Sequence, residues 1–219
     1  MNVELLTHTP HPEKLCALAA KLCYSSGMPK LHGLTPDKAH PLLKKILDSG
    51  HMSVLEHVSY TFAIEGISRA CSHQLVRHRL ASFSMQSQRY VSETEPDYIV
   101  PDSVVAAGQE QRFKSAMENA WAFYRALRNA GVPDEDARFV LPNAAETKLI
   151  VTMNVRELLH FFNLRCCNRA QLEIRALANA MLKLVQGKTP ILFATAGPAC
   201  VAAGYCPEGS LSCGAAPCR

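Results

Sequence analysis

The stretch RHRLASFSMQSQRY, residues 77 to 90, sets Arg77, His78 and Arg79 side by side and closes on Arg89 after a run of serines and glutamines. An arginine keeps its proton in a protein, and its planar fork of N–H donors matches phosphate or carboxylate oxygens. The segment is built to meet an anion. Arg138, Arg156 and Arg165 recur in segments that otherwise carry core residues, and a cation placed there requires a partner. Several small anions, or one polyphosphate, satisfy that requirement. Neither a GxGxxG fingerprint nor a GxxxxGK(S/T) loop occurs, so side chains must hold any phosphate. A nucleotide gripped by arginines fits this pattern.

Other chemistries find less support. His51 and His57 stand six apart, off one helix face, and no HExxH pair exists, so no metal is expected in the site. Ser87 lacks a GxSxG elbow, and a phosphate-bonding hydroxyl suits it better than a nucleophile. Cys71 falls on the apolar side of a helical pattern and reads as an inert buried thiol. The basic cluster alone would also serve a protein that binds a nucleotide or RNA without chemistry.

The elements that must position these residues follow from periodicity. A strand is expected near Asn2 to Thr7, then a helix opened by Pro12 and Glu13 with Leu15, Leu18, Ala19 and Leu22 as its core face. A second helix runs from Thr35 and Pro36 to Gly50. Ser53 and Glu56 have capping-box spacing, and Val58, Tyr60, Phe62 and Ile64 alternate as one face of a strand that ends at Gly66. Ser68 caps a helix through Cys71 and Leu75 that delivers Gln74 and the cationic cluster. From Leu80 the chain reads as extended. One long helix is expected over 103–129, with Phe113, Ala116, Ala120, Trp121, Tyr124 and Leu127 buried, and a shorter one carries Arg138. TKLIVTMN reads as a strand, and Asn154 caps a helix on which Arg156, His160 and Asn163 form a polar stripe. The result is a single α+β domain: a small, mostly antiparallel sheet flanked by several helices, spanning residues 1–195.

With 219 residues the chain can bury a substantial core, and its 48% hydrophobic and 19% charged residues exclude a disordered or collagen-like class. A net charge of +4 does not demand a long nucleic-acid groove, so no nucleic-acid partner is expected. No apolar run approaches a membrane span and the first residues lack a signal-peptide layout, which leads to the expectation of a cytoplasmic protein without a membrane partner. Residues 196–219 form a Cys/Gly/Pro-rich tail in which Cys200, Cys206, Cys213 and Cys218 lack the CxxC spacing of a firm zinc site. A zinc site, a reducing tail and a loop packed on a neighbouring subunit remain as readings of it.

RHRLASFSMQSQRY closely resembles the signature of the flavin-dependent thymidylate synthase family. The segments at 50–57, DARFVLPNAAET at 136–147, and 154–165 followed by AQLEI at 170–174 look like that family's other landmarks, in order. The resemblance implies an enzyme that converts dUMP to dTMP, with methylenetetrahydrofolate as carbon donor and NADPH supplying electrons through FAD. It implies that Ser53, Arg77, His78, Arg79, Asn154, Arg156 and His160 hold FAD. Gln74, Ser87, Arg89 and Arg138 would bind dUMP, largely at its phosphate. Ser84 and Met85 stand where the family usually has Asn and Glu, and Gln86 would serve the nucleotide in place of that carboxylate. Arg165 would sit against the uracil carbonyls, binding substrate and stabilising charge during catalysis, and His51 would border the flavin and folate pocket. A homotetramer with shared active sites is also implied. Arg169 stands where some members have His.

Overall fold

A computed structural model describes residues 1–93 and 95–218. β1 (Asn2–His8) is followed by α1 (Pro12–Leu22) and α2 (Pro36–Asp48), and β2 (Ser59–Ser68) leads into α3 (Arg69–Leu75) and β3 (Ala81–Met85). α4 (Asp102–Ala106), α5 (Glu110–Asn129) and α6 (Asp134–Ala137) precede β4 (Glu146–Asn154), after which come α7 (Val155–Arg165), α8 (Leu172–Lys188) and α9 (Ala199–Ala203). The strands form one antiparallel sheet in the order β1-β2-β4-β3, so the expected α+β class holds. Tertiary contacts divide the chain into two compact units. The first comprises Met1–Asn2, Ile64–Arg77 and Phe83–Ile150; the second comprises Val3–Ala63, His78–Ser82 and the chain from Val151.

In the first unit Trp121 and Tyr124 of α5 are buried as expected, and Tyr98 packs on Trp121 at 6.0 Å between ring centroids. The expected single helix over 103–129 is two, because Gly108 adopts φ +64, the left-handed conformation that ends α4. Met117, rather than the exposed Ala116, completes the buried stripe of α5. Gly66 does not end β2; it lies within the strand at φ +71, where a Cβ would stand 2.9 Å from the Met1 backbone nitrogen. Only glycine allows that approach without strain.

In the second unit Tyr60 packs edge-on against Phe193 and exchanges a 2.7 Å hydrogen bond with Thr189. α1 buries Cys16, Ala17 and Ala20, whereas Leu22 of the expected face is exposed. Small side chains let α1 pack closely on α2, which contributes Ala39, Leu43 and Ile46 to the core. The expected capping box gives way to a 3-10 helix over Met52–His57, and the Glu56 carboxylate pairs with Arg156 instead. The tail folds back on the turn between α7 and α8: Arg169 pairs with Glu208, and Asn168 Nδ2 donates to Cys213 Sγ at 3.5 Å. Among the described residues no group of three or more His, Cys, Asp or Glu is placed to hold a metal, and no helix is long and apolar enough to cross a membrane.

Candidate functional site

Ser68 accepts from the Cys71 N–H at 3.0 Å and starts α3. The helix lasts two turns, and the Arg77 N–H then closes on the Gln74 carbonyl at 3.3 Å. Arg77 is thereby presented to solvent just past a helix C-terminus, where the carbonyl dipoles favour a cation. Gln74 sits half-buried in the last turn.

Past β3, Gln86 is tied at both sides of its backbone. Its N–H donates to the Lys148 carbonyl at 3.0 Å, and its own carbonyl accepts from Arg69 Nη2 at 3.0 Å. Burial pulls the Arg69 guanidinium below its ordinary pKa and pushes the Glu93 carboxyl up, while the attraction between the two opposes both shifts. Ser87 Oγ then accepts from the Arg89 N–H at 3.2 Å, a local turn that sends the Arg89 side chain outward. Arg89 Nε and Nη2 reach Glu135 Oε2 at 2.9 and 2.8 Å. Arg138 Nε donates to the Glu135 backbone carbonyl at 3.0 Å. Two guanidinium groups that lie 49 positions apart in sequence thus meet on one acidic residue, presenting donors of the kind a phosphate takes.

In the second unit the geometry is tighter. His78 is buried, with Phe161 edge-on at 4.9 Å and the His160 ring at 5.7 Å. Its Nδ1 lies 3.2 Å from Glu157 Oε1, and its Nε2 accepts from Arg165 Nε at 3.1 Å. Burial, then the Arg165 charge and then His160, push the His78 pKa down to about 4. Burial raises the Glu157 carboxyl above its usual range, opposed by His160. Asn154 accepts from the Glu157 N–H at 2.9 Å, so its side-chain oxygen serves as the cap of α7. Ser53, Arg79, Arg156 and His160 are exposed, Arg156 with Glu56 as partner. His51, held by Gly50 at φ +71, lines a cavity of about 230 Å³ with Tyr24, Lys45 and Val54. Arg165 lines a separate one of about 270 Å³ with Asn163, Arg169 and Glu208.

The structure therefore joins Arg89 with Arg138, and His78 with His160 and Arg165, while His51 and Arg165 open on different cavities. Gln74, Gln86, Ser87, Arg89 and Arg138 share the first unit with Arg77; the remaining predicted residues share the second. Two residues escaped the sequence reading. Glu135 lies in an acidic run that passes for a helix N-terminus, so nothing marked it. Glu157 did carry a signal, because it stands four before Phe161 on the buried stripe of α7, and a carboxylate on an apolar face demands a partner.

Fold and charge pattern define an α+β protein with exposed arginine side chains and no glycine-rich phosphate loop in its sequence. The sequence profile of the family described as thymidylate synthase complementing protein matches residues 4–191, and the chain belongs to that family. A flavin-dependent thymidylate synthase from Geobacter sulfurreducens is 58% identical, over 99% of this chain and 95% of that protein. One from Pyrococcus furiosus is 41% identical, over 96% of this chain and 91% of that protein. Among solved structures, a UMP/dUMP methylase from Streptomyces cacaoi bound with 5-Br dUMP superposes with a TM-score of 0.79 at 25% identity, covering 90% of this chain and 95% of that one.

Proposed function

We infer that the protein is a thymidylate synthase that methylates dUMP at C5 to give dTMP and depends on a flavin. The observation that carries this reading is the meeting of Arg89 and Arg138 on Glu135, with Ser87 on the same turn. Forked donors and a hydroxyl suit a phosphate dianion. Gln74 and Gln86 complete the dUMP contacts, Gln86 from a backbone fixed at both its N–H and its carbonyl.

We propose FAD as the flavin, NADPH as the reductant and methylenetetrahydrofolate as the carbon donor. The exposed cations Arg77, Arg79 and Arg156, with His160, Ser53 and Asn154, fit a cofactor that carries a pyrophosphate. His78, which the same reading assigns to the cofactor, is buried with a partner at each ring nitrogen. The flavin supplies hydride, which no side chain does. The chain's own residues then bind and orient. Arg165 faces the uracil carbonyls and stabilises the negative charge that builds as C5 becomes nucleophilic, and His51 borders the pocket for flavin and folate.

A homotetramer with sites assembled from several subunits follows from the same reading, as do a catalytic domain over 1–195 with an appended tail and a cytoplasmic location. The test is transfer of label: incubation with dUMP, NADPH, FAD and methylenetetrahydrofolate labelled in its one-carbon unit. The expected result is label in the methyl group of dTMP. A folded, flavin-bound protein that leaves the label on folate overturns the reading.

A further inference from the structure

The buried Glu157 carboxylate plays no part in the chemistry above, yet it sits at one end of a three-member line. Glu157 Oε1 meets His78 Nδ1 at 3.2 Å, and His78 Nε2 meets Arg165 Nε at 3.1 Å. Glu157 and His78 side chains are 6% and 3% exposed, so water does not compete for the bond between them. We propose that Glu157 is a positioning residue for thymidylate synthesis: it fixes the tautomer of His78, and through that imidazole it holds the Arg165 guanidinium in its working orientation. This rests on the reading of Arg165 as the group that stabilises charge on the uracil.

Arg165 dictates the tautomer of His78. Arg165 Nε carries a hydrogen at every accessible pH and donates only. His78 Nε2 must therefore offer its lone pair, which leaves the imidazole proton on Nδ1, directed at Glu157. The carboxylate accepts that proton's hydrogen bond and makes this tautomer the favoured one. Remove the acceptor, and the proton is free to move to Nε2, where it points at the Arg165 N–H and expels it. The depressed His78 pKa agrees with a ring that stays neutral between these two partners. A carboxylate that orients a histidine, which in turn orients a working group, is a known physical arrangement at metal sites, where its loss costs about 10- to 100-fold.

The bland alternative assigns Glu157 to helix capping, since it is the third residue of α7, where a glutamate reaches back to the helix start. The side chain goes to His78 instead, and the cap is supplied by Asn154 Oδ1. A second alternative makes the pair a structural bridge only. It predicts loss of stability with kcat untouched in whatever enzyme folds.

The test uses the flavin-loaded enzyme and the variants Glu157→Gln, Glu157→Leu, Arg165→Lys and the Leu/Lys double. Gln keeps an acceptor for the Nδ1 proton and is expected within about threefold of wild-type kcat. Leu removes it and is expected to lower kcat by about 10- to 100-fold, with the flavin content little changed and a rise in the KM for dUMP no larger than that of Arg165→Lys. The double variant is expected to be no slower than Arg165→Lys alone, because both changes disable one group. Additive losses, or a Glu157→Leu enzyme with wild-type kcat, overturn the proposal while leaving Arg165 in its role. An Arg165→Lys enzyme with full kcat instead overturns the reading of Arg165, and the proposal with it. Should Glu157→Leu not fold, ¹⁵N spectra of histidine-labelled wild-type enzyme decide: a proton on His78 Nδ1 supports the proposal, and a proton on Nε2 refutes it.

Discussion

Replacing Arg89 with alanine is expected to weaken dUMP binding about 30-fold and to leave the flavin in place. The magnitude follows from two opposing quantities. A charge-assisted contact between a guanidinium and a phosphate contributes about 1.5–3 kcal/mol. Against it stands the pair that Arg89 makes with Glu135, whose side chains are 51% and 47% exposed. An ion pair that wet is worth less than about 1 kcal/mol, so it subtracts little when the phosphate takes its place. The net is about 2 kcal/mol, about one and a half decades in Kd. Titration calorimetry on flavin-loaded protein measures it, with deoxyuridine as the control ligand. The loss should be confined to dUMP, because deoxyuridine has no phosphate. Glu135→Gln, which frees the Arg89 fork, should change affinity in the opposite direction, by up to about fivefold. Equal losses for dUMP and deoxyuridine, an unchanged Kd for dUMP, or loss of flavin together with substrate would each refute the assignment of Arg89 to the phosphate.

Arg79→Ala should do the reverse of Arg89→Ala, releasing flavin on gel filtration while dUMP affinity stays within about threefold; equal loss of both ligands counts against the division between the two sets. His78 makes folding depend on pH. Its folded pKa of about 4 lies below the ordinary 6.5, so the unfolded chain binds the proton first and stability falls as pH drops from about 6.5 towards 4. At pH 5 this group alone removes about 2 kcal/mol relative to pH 7. The raised Glu157 carboxyl acts in the opposite sense at the acid end, adding stability below the ordinary carboxyl range and losing it as pH rises through its folded pKa. Urea midpoints at fixed protein concentration should therefore fall more steeply with acid in the wild type than in His78→Asn, and parallel curves would contradict the burial argument. Gly66→Ala places a Cβ against the Met1 backbone at φ +71 and should cost about 2 kcal/mol, read as a lowered Tm. An unchanged Tm would mean that β1 yields at no cost.

Much of the fold was legible because single faces were unambiguous. Val58, Tyr60, Phe62 and Ile64 alternate with polar or small residues, and all four are buried. Ser68 and Asn154 announced their helices, since their side chains accept from N–H groups three residues on. Reading failed where apolar residues occurred on more than one face. α1 offers Leu15, Leu18 and Leu22 as well as Cys16, Ala17 and Ala20, and the close approach of α2 selects the smaller set. Gly66 differs from its sequence reading because a glycine that permits close approach of the Met1 backbone looks, in sequence, like one that ends a strand.

The candidate site followed the same division. RHRLASFSMQSQRY stands out in sequence because fixed cations beside hydroxyls and amides form a donor set that suits an anion. The roles inside it were not equally visible. His78, flanked by two exposed arginines, points inward, and only the burial of Phe161 and Glu157 on the facing stripe of α7 explains why. Partners far apart in sequence, such as Glu135 with Arg89 or Glu157 with His78, are set by packing that no local period encodes.

The most direct test is the dependence of turnover on flavin. Enzyme stripped of flavin would be given dUMP, methylenetetrahydrofolate and NADPH without oxygen, and dTMP measured as FAD is added back. No dTMP is expected at zero FAD, with a rate that rises until each active site holds one FAD. Turnover that is indifferent to FAD, or none in protein fully loaded with it, would overturn the assignment of a flavin-dependent thymidylate synthase.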